Sequence, residues 1–200
     1  MISNEFAWDD IRSASAELDL EPCALWAVCQ VESAGSGFLE DGRPKILFEG
    51  HIFWRELKKR GLDPASYVPG NENVLYPHWT RQFYKGGPRE YERLEKACAI
   101  NRDAALASAS WGAFQIMGFN YNTCGFATVE AFVEAMQGSQ REQLRAACSF
   151  IRSNGMDKAL RQSDWAAFAL KYNGPGYKEN RYDEKLRQAY ERCRTRHPEQ

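Results

Sequence analysis

Apolar residues recur at helical spacing along most of the chain. One stripe has apolar residues at positions 25, 28 and 29 and a glutamate at position 32, the offsets of residues that share one face of an α-helix. Similar stripes predict helices near residues 6–18, 22–32, 53–60, 88–118, 129–136, 144–151, 165–172 and 182–193.

Two stretches break this pattern. Residues 43–54 are rich in β-favouring residues interrupted by Gly50, which predicts a short strand or hairpin leading into the next helix. Residues 61–87 hold three prolines and four glycines among aromatic residues, which indicates a long irregular segment. We call residues 61–87 the aromatic excursion. The fold class predicted is therefore α+β, mainly α, in a single domain over residues 1–200.

The composition is that of an ordinary globular chain. It has 200 residues, 44% of them hydrophobic, and a net charge of −1, so we expect no general attraction to nucleic acid. No apolar run reaches the roughly 18 residues that span a bilayer, and the acidic start is unlike a secretory signal. We expect a monomer made in the cytoplasm, without a signal peptide or stable membrane insertion.

Cysteines and histidines suggest no metal site. The six cysteines are scattered singly among apolar neighbours, which favours buried free thiols over disulfides. The three histidines lack metal-ligand spacing, so we expect neither a metal nor another cofactor.

Two glutamates lie in apolar surroundings. Glu32 completes the stripe of the second helix, where burial would raise its pKa toward that of a general acid; a frayed helix end that turns outward is the alternative. Glu49 shares the strand face of Leu47, opposite Phe48, so it faces either a cleft or a structural arginine. Two carboxylates in one cleft would suit cleavage of a glycosidic bond.

Six polar or aromatic residues are further candidates. Gln115 is an amide inside an apolar stretch and needs hydrogen-bond partners, which a sugar polymer could supply. Tyr172 lies on an apolar stripe, and Asn173 follows at the helix end, where asparagine also serves as a simple cap. In the excursion, Tyr76, Trp79 and Tyr84 suit either sugar stacking or core packing.

Together these blocks resemble a known family. The segments "VES", "SWGAFQIMG" and "YNGPGY" occur in the order seen in the lysozyme-like superfamily of goose-type lysozymes and lytic transglycosylases. With "RPKILFEGHIFW" and "WAAFALKYNGPGYKENRYDEKLRQAY", the chain is similar to the N-acetylmuramidase family of phage endolysins over about residues 5–192. A lysozyme-like fold follows from this resemblance, with no separate cell-wall-binding domain.

The resemblance also implies an activity and residue roles. It implies cleavage of the β-1,4 bond between N-acetylmuramic acid and N-acetylglucosamine in peptidoglycan, with Glu32 as general acid and Glu49 as second carboxylate. Ser33 would hydrogen-bond near Glu32, and Gln115, Tyr172 and Asn173 would bind substrate. The family usually has arginine where this chain has Gly50, so that side chain has no counterpart here.

Other interpretations remain open at this point. A lytic transglycosylase would use the same Glu32 but give 1,6-anhydromuramyl products, and a glycan-binding module would keep the fold without cleaving. An endolysin made in the cytoplasm must reach peptidoglycan in the periplasm, for which the resemblance implies a holin as functional partner.

Overall fold

A computed structural model describes residues 6–33 and 35–197, and within them the chain is mainly helical with one small sheet. The helices are α1 Trp8–Glu17, α2 Pro22–Glu32, α3 Gly50–Lys59, α4 Glu90–Cys98, α5 Arg102–Ala107, α6 Val129–Gly138, α7 Gln140–Ser153, α8 Asp157–Arg161, α9 Trp165–Asn173 and α10 Tyr182–Arg196. The strands are β1 Ile46–Phe48, β2 Ala109–Trp111 and β3 Ile116–Met117. The predicted α+β class is confirmed. Among the described residues, no helix is both long and apolar enough to cross a membrane.

The chain divides into two compact units. The first unit combines the described residues up to Ser36 with those from Leu144 onward, and the second unit runs from Gly37 to Gln143. The single catalytic domain expected from the sequence stays a prediction.

Helix α2 forms the centre of the first unit. It is apolar on nearly every side, and a helix of that kind belongs inside a core. Helices α1, α8 and α10 pack against it, and Pro22 begins it at a position where the missing N–H costs no hydrogen bond. Its buried residues are Cys23, Ala24, Leu25, Ala27, Val28 and Cys29. Glu32 is therefore the last residue of the most apolar helix.

A disulfide in the first unit corrects the expectation of free thiols. Cys23 in α2 and Cys193 in α10 are bonded, with their Cα atoms 5.4 Å apart. They are 170 residues apart in sequence, and only the packing of α10 on α2 brings them together. The other four cysteines are free: Cys29, Cys124 and Cys148 are buried as predicted, and Cys98 is partly exposed.

The sheet in the second unit corrects a second expectation. Residues 109–117, predicted as helical, form strands β2 and β3. β2 pairs antiparallel with β1 on one side, through Leu47 and Ser110, and with β3 on the other. The single strand β1 thus finds its partner far along the chain instead of in a local hairpin.

The turn between β2 and β3 explains why the helix cannot continue. Gly112 has a φ of +71° and Gln115 a φ of +48°, and left-handed residues interrupt a right-handed helix. A Cβ at Gly112 would also lie 2.7 Å from Cδ of Gln143, so glycine is required for space as well. Gly112 therefore marks the turn between the two strands.

Helix α4 anchors the aromatic excursion through a buried ion pair. The side chains of Glu90 and Arg93 are 0% exposed, and Nη1 of Arg93 lies 2.7 Å from Oε2 of Glu90. Glu90 also accepts hydrogen bonds from the backbone N–H groups of Phe48, Lys85 and Gly86. This one carboxylate therefore joins α4, β1 and the end of the excursion.

Arg93 makes the matching set of contacts. It donates to the backbone carbonyls of Phe48 and Asn73 and to the hydroxyl of Tyr76. The irregular segment predicted from the prolines and glycines is confirmed, since residues 61–86, all described, contain no α-helix or strand. The ion pair supplies the hydrogen bonds that a regular element would otherwise provide.

Reduction of the disulfide is expected to destabilise the protein. A cross-link that closes a long loop contributes about 2–4 kcal/mol to the free energy of unfolding. Urea unfolding with and without dithiothreitol measures this difference. The double variant Cys23→Ala with Cys193→Ala should be insensitive to the reductant, whereas Cys98→Ser should respond as the parent does.

Removal of Arg93 is expected to be more damaging. Arg93→Met leaves the Glu90 carboxylate buried without its cation, which costs about 3–5 kcal/mol of unfolding free energy. The control is Glu92→Gln, because Glu92 pairs with Lys85 at an exposed surface, where an ion pair contributes about 0–1 kcal/mol. Equal effects of the two substitutions in urea unfolding would contradict the central role of the buried pair.

Candidate active site

Glu32 lies inward at the end of α2. Its side chain is partly buried, and its Oε1 accepts a hydrogen bond of 2.9 Å from Nδ2 of Asn173, the last residue of α9. The frayed, outward-facing alternative therefore does not describe this residue. Two candidates that are far apart in sequence, Glu32 and Asn173, are in direct contact within the first unit.

Burial dominates the electrostatics of Glu32. Loss of solvent raises the pKa of Glu32 above its ordinary value, and the hydrogen bond from Asn173 and the charge of Lys185 lower that pKa by less than burial raises it. A glutamic acid in such surroundings holds its proton to higher pH than an exposed one, which a proton donor requires.

Asn173 does not act as the helix cap. The cap of α9 is Gly174, with a φ of +76°, so the asparagine side chain is left to bind Glu32. Tyr172 precedes it and packs its ring on Phe168 and edge-on against Phe150, at centroid distances of 5.4 and 6.4 Å. The ring of Tyr172 thereby helps to hold the end of α9 that presents Asn173.

Ser33 follows Glu32 as the cap of α2. Its backbone is extended, and its N–H donates to the carbonyl of Cys29. The helix thus ends directly after the glutamate. A hydrogen bond from the Ser33 hydroxyl near Glu32 stays a prediction.

Glu49 belongs to the second unit, between β1 and α3. The sequence predicted Glu49 within the strand, but β1 ends at Phe48 and Glu49 is the N-cap residue of α3. Its side chain is 14% exposed. The hydroxyl of Tyr84 lies 2.7 and 2.8 Å from its two carboxylate oxygens. Nδ1 of His51 lies 3.3 Å from Oε2. Its hydrogen-bond partner is therefore a tyrosine, and the nearby Nδ1 of His51 makes no hydrogen bond within the described part of the chain. No arginine among the described residues pairs with Glu49, so the arginine alternative does not describe it.

The two neighbours of Glu49 are both uncharged at neutral pH. Burial, and then the hydrogen bond to Glu49, raises the pKa of Tyr84, so its hydroxyl stays protonated and can donate. Burial lowers the pKa of His51, with a smaller contribution from Arg55, while Glu49 opposes the change. Glu49 thus lies among neutral polar groups.

Gln115 braces the turn of the sheet. Its Nε2 donates to the carbonyls of Gly112 and Lys45, and its Oε1 accepts from the hydroxyl of Ser110 at 2.9 Å. The amide therefore has partners inside the second unit, as a half-buried amide requires. Its sugar-binding role stays a prediction.

Gly50 is a glycine because Tyr76 fills the adjacent space. A Cβ at Gly50 would lie 2.6 Å from Cζ of Tyr76 and 2.7 Å from the carbonyl oxygen of Val74. The Gly50 N–H also donates to the Tyr76 hydroxyl. No arginine fits here without displacing that ring. Tyr76 is buried and belongs to the core.

The other excursion aromatics differ in their surroundings. Tyr84 binds Glu49, and Trp79 is 59% exposed with the guanidinium of Arg81 5.4 Å from its ring centroid. Sequence reasoning grouped these residues as one aromatic set and missed the contact of Tyr84 with Glu49. No sequence pattern links two residues that are brought together by an irregular segment.

Comparisons with known proteins place this architecture in a class. The chain is similar to the crystal structure of Burkholderia AP3 phage endolysin, with a TM-score of 0.88 and 42% sequence identity over 94% of this chain and 71% of that one. A search of curated proteins gave no match. The fold is thus that of an endolysin structure.

The family follows from the sequence itself. The N-acetylmuramidase family model matches residues 21–194, so the chain belongs to the N-acetylmuramidase family. The resemblance inferred from the ordered motifs is confirmed, although the matched region begins later than the predicted residue 5.

The raised pKa of Glu32 predicts a pH-dependent difference in stability. The protonated form is favoured in the folded state, so the contribution of Glu32 is complete below its ordinary pKa and is lost as pH rises through the raised value. Glu32→Gln keeps an acceptor for Asn173 but never ionises. Thermal unfolding should show similar stabilities near pH 4 and a relative gain for the variant at pH 7.

Asn173→Ala is the opposing control. Its amide supports the ionised form of Glu32, so its loss should cost more at neutral than at acidic pH. If each variant differs from the parent in stability by the same amount at pH 4 and at pH 7, the result would contradict the burial of the Glu32 carboxyl.

Proposed function

We propose that this chain is an endolysin that cleaves the β-1,4 bond between N-acetylmuramic acid and N-acetylglucosamine in peptidoglycan. Membership of the N-acetylmuramidase family and similarity to a phage endolysin support peptidoglycan as the substrate. The observation that carries the chemistry is Glu32, a partly buried glutamate at a helix end with a raised pKa and one amide donor.

In this proposal Glu32 is the general acid. Its protonated carboxyl donates to the glycosidic oxygen as the bond to the anomeric carbon breaks, and the resulting positive charge develops on the sugar. The Asn173 amide orients the carboxyl and stabilises the carboxylate that remains after proton transfer. Ser33 and Tyr172, which flank these two residues in the chain, would contact the substrate.

Glu49 is the proposed second carboxylate. It would activate the attacking water or stabilise the positive charge at the anomeric carbon, which leads to hydrolysis. Its support is its place at the end of β1, with a mostly buried side chain that pairs with no lysine or arginine among the described residues. Gln115 would bind a sugar through its remaining acceptor capacity.

The cellular setting is part of the proposal. The protein would be made in the cytoplasm, reach the periplasm through a holin and act there as a monomer, as fits a phage endolysin. No cofactor takes part in the proposed reaction.

Digestion of purified peptidoglycan tests the reaction type. We expect products that end in a reducing N-acetylmuramic acid, which mass spectrometry distinguishes from 1,6-anhydromuramyl ends by the mass of one water. Products that are all anhydro would replace hydrolysis by the transglycosylase reaction.

Substitution of the two glutamates tests their roles in the same assay. Loss of the general acid in Glu32→Gln should lower the rate by at least about 100-fold with the fold kept. Glu49→Gln should lose most of the activity as well, and the exposed Glu92→Gln serves as the matched control. A native rate in Glu32→Gln would overturn the assignment of Glu32 as general acid. A parent chain that binds peptidoglycan without cleaving it would instead be a glycan-binding module.

A further inference from the structure

The contact of Tyr84 with Glu49 is more specific than packing requires. The hydroxyl lies within 2.8 Å of both carboxylate oxygens, although Tyr84 comes from the excursion and Glu49 from the strand end. A hydroxyl shared between both oxygens restricts rotation of the carboxylate plane. Because a catalytic carboxylate must be held in one orientation, this is a positioning contact.

Tyr84 is itself fixed from two sides. Its ring lies 5.8 Å from the guanidinium of Arg93, the buried cation of α4. The next residue, Lys85, donates its backbone N–H to Glu90 at 2.6 Å. The position of the hydroxyl is therefore set by the buried ion pair, and not by the surface loop alone.

Trp79 extends this arrangement to the solvent. Burial raises the pKa of Tyr84 and the Trp79 side chain opposes that rise, so the two side chains are neighbours. The Trp79 ring is nevertheless 59% exposed, the largest exposure among the large apolar side chains described. A flat aromatic ring held in place but open to water suits stacking on the apolar face of a sugar.

We propose that Tyr84 positions the Glu49 carboxylate through its hydroxyl, and that the exposed ring of the neighbouring Trp79 contacts a sugar of the glycan strand. This proposal rests on the proposed function of Glu49. It assigns two different roles to neighbouring aromatics, a positioning role to Tyr84 and a substrate-contact role to Trp79.

The two roles predict different changes in kcat and KM for the cleavage of soluble glycan fragments from purified peptidoglycan. Tyr84→Phe should lower kcat by about 10- to 100-fold with KM changed less than about 2-fold, because orientation is lost while the sugar contact stays. Trp79→Ala should raise KM by roughly 3- to 10-fold, the effect of losing one stacking contact.

A matched control separates positioning from simple stability. Tyr91 also lies in the second unit and donates its hydroxyl to the carbonyl of Pro44 at 2.9 Å. Tyr91→Phe should lower the melting temperature as Tyr84→Phe does, but leave kcat unchanged. If Tyr84→Phe shows only that pattern, Tyr84 is structural and the proposal fails.

Trp79→Phe keeps an aromatic ring at this position. KM should therefore stay within about 2-fold of the parent value, in contrast to Trp79→Ala. An unchanged KM in Trp79→Ala would overturn the sugar contact.

Coupling to Glu49 completes the test. In the Glu49→Gln background, Tyr84→Phe should cause no further loss of the residual kcat, because both changes act on one group. Full additivity would show that Tyr84 acts elsewhere and would overturn the proposal. A Glu32→Gln variant with native rates would instead overturn the proposed function. An active Glu49→Gln variant beside an inactive Glu32→Gln variant would overturn only the roles assigned to Glu49 and Tyr84.

Discussion

The buried pair of Glu90 and Arg93 is the interaction on which the second unit depends. Both side chains are fully buried, and each is surrounded by hydrogen-bond partners from β1 and the aromatic excursion. A buried charge without its partner costs about 3–5 kcal/mol, a large share of the roughly 5–15 kcal/mol that stabilises a domain, so the excursion and the pair depend on each other. The irregular segment is ordered because it satisfies the ion pair, and Tyr84 reaches Glu49 because the segment is ordered.

Much of the fold was predictable because most helices carry a local signal. The stripes near residues 129–136, 144–151, 165–172 and 182–193 all correspond to helices, since each needs only its own spacing and caps. Residues 109–117 were predicted wrongly, because β2 pairs with β1 far along the chain and the left-handed Gln115 has no sequence signature. The Cys23–Cys193 bond was missed for the same reason, since it depends on helix packing.

Only part of the candidate site could be predicted from the sequence. Glu32 could be found because it completes an apolar stripe, whereas its partner Asn173 was only one of several helix-end candidates. The same criterion applies to α4, where positions 90, 93, 94 and 97 share one face and all are buried. Charged residues at two of those positions signal a buried polar network. The contact of Tyr84 with Glu49 had no comparable signal, because periodicity says nothing about an irregular segment.

The two glutamates show two ways of holding a carboxyl. For Glu32, burial at the end of an apolar helix changes the pKa, and the Asn173 amide moderates that change. For Glu49, the control is geometric, through a neutral hydroxyl that reaches both oxygens. An arginine at either site would oppose proton donation or bind the carboxylate as a fixed ion pair, whereas amide and hydroxyl donors orient it without adding a formal charge. A carboxyl that changes its protonation or its bonding during a reaction requires neutral donors of this kind. Glu90, by contrast, is permanently paired with a cation.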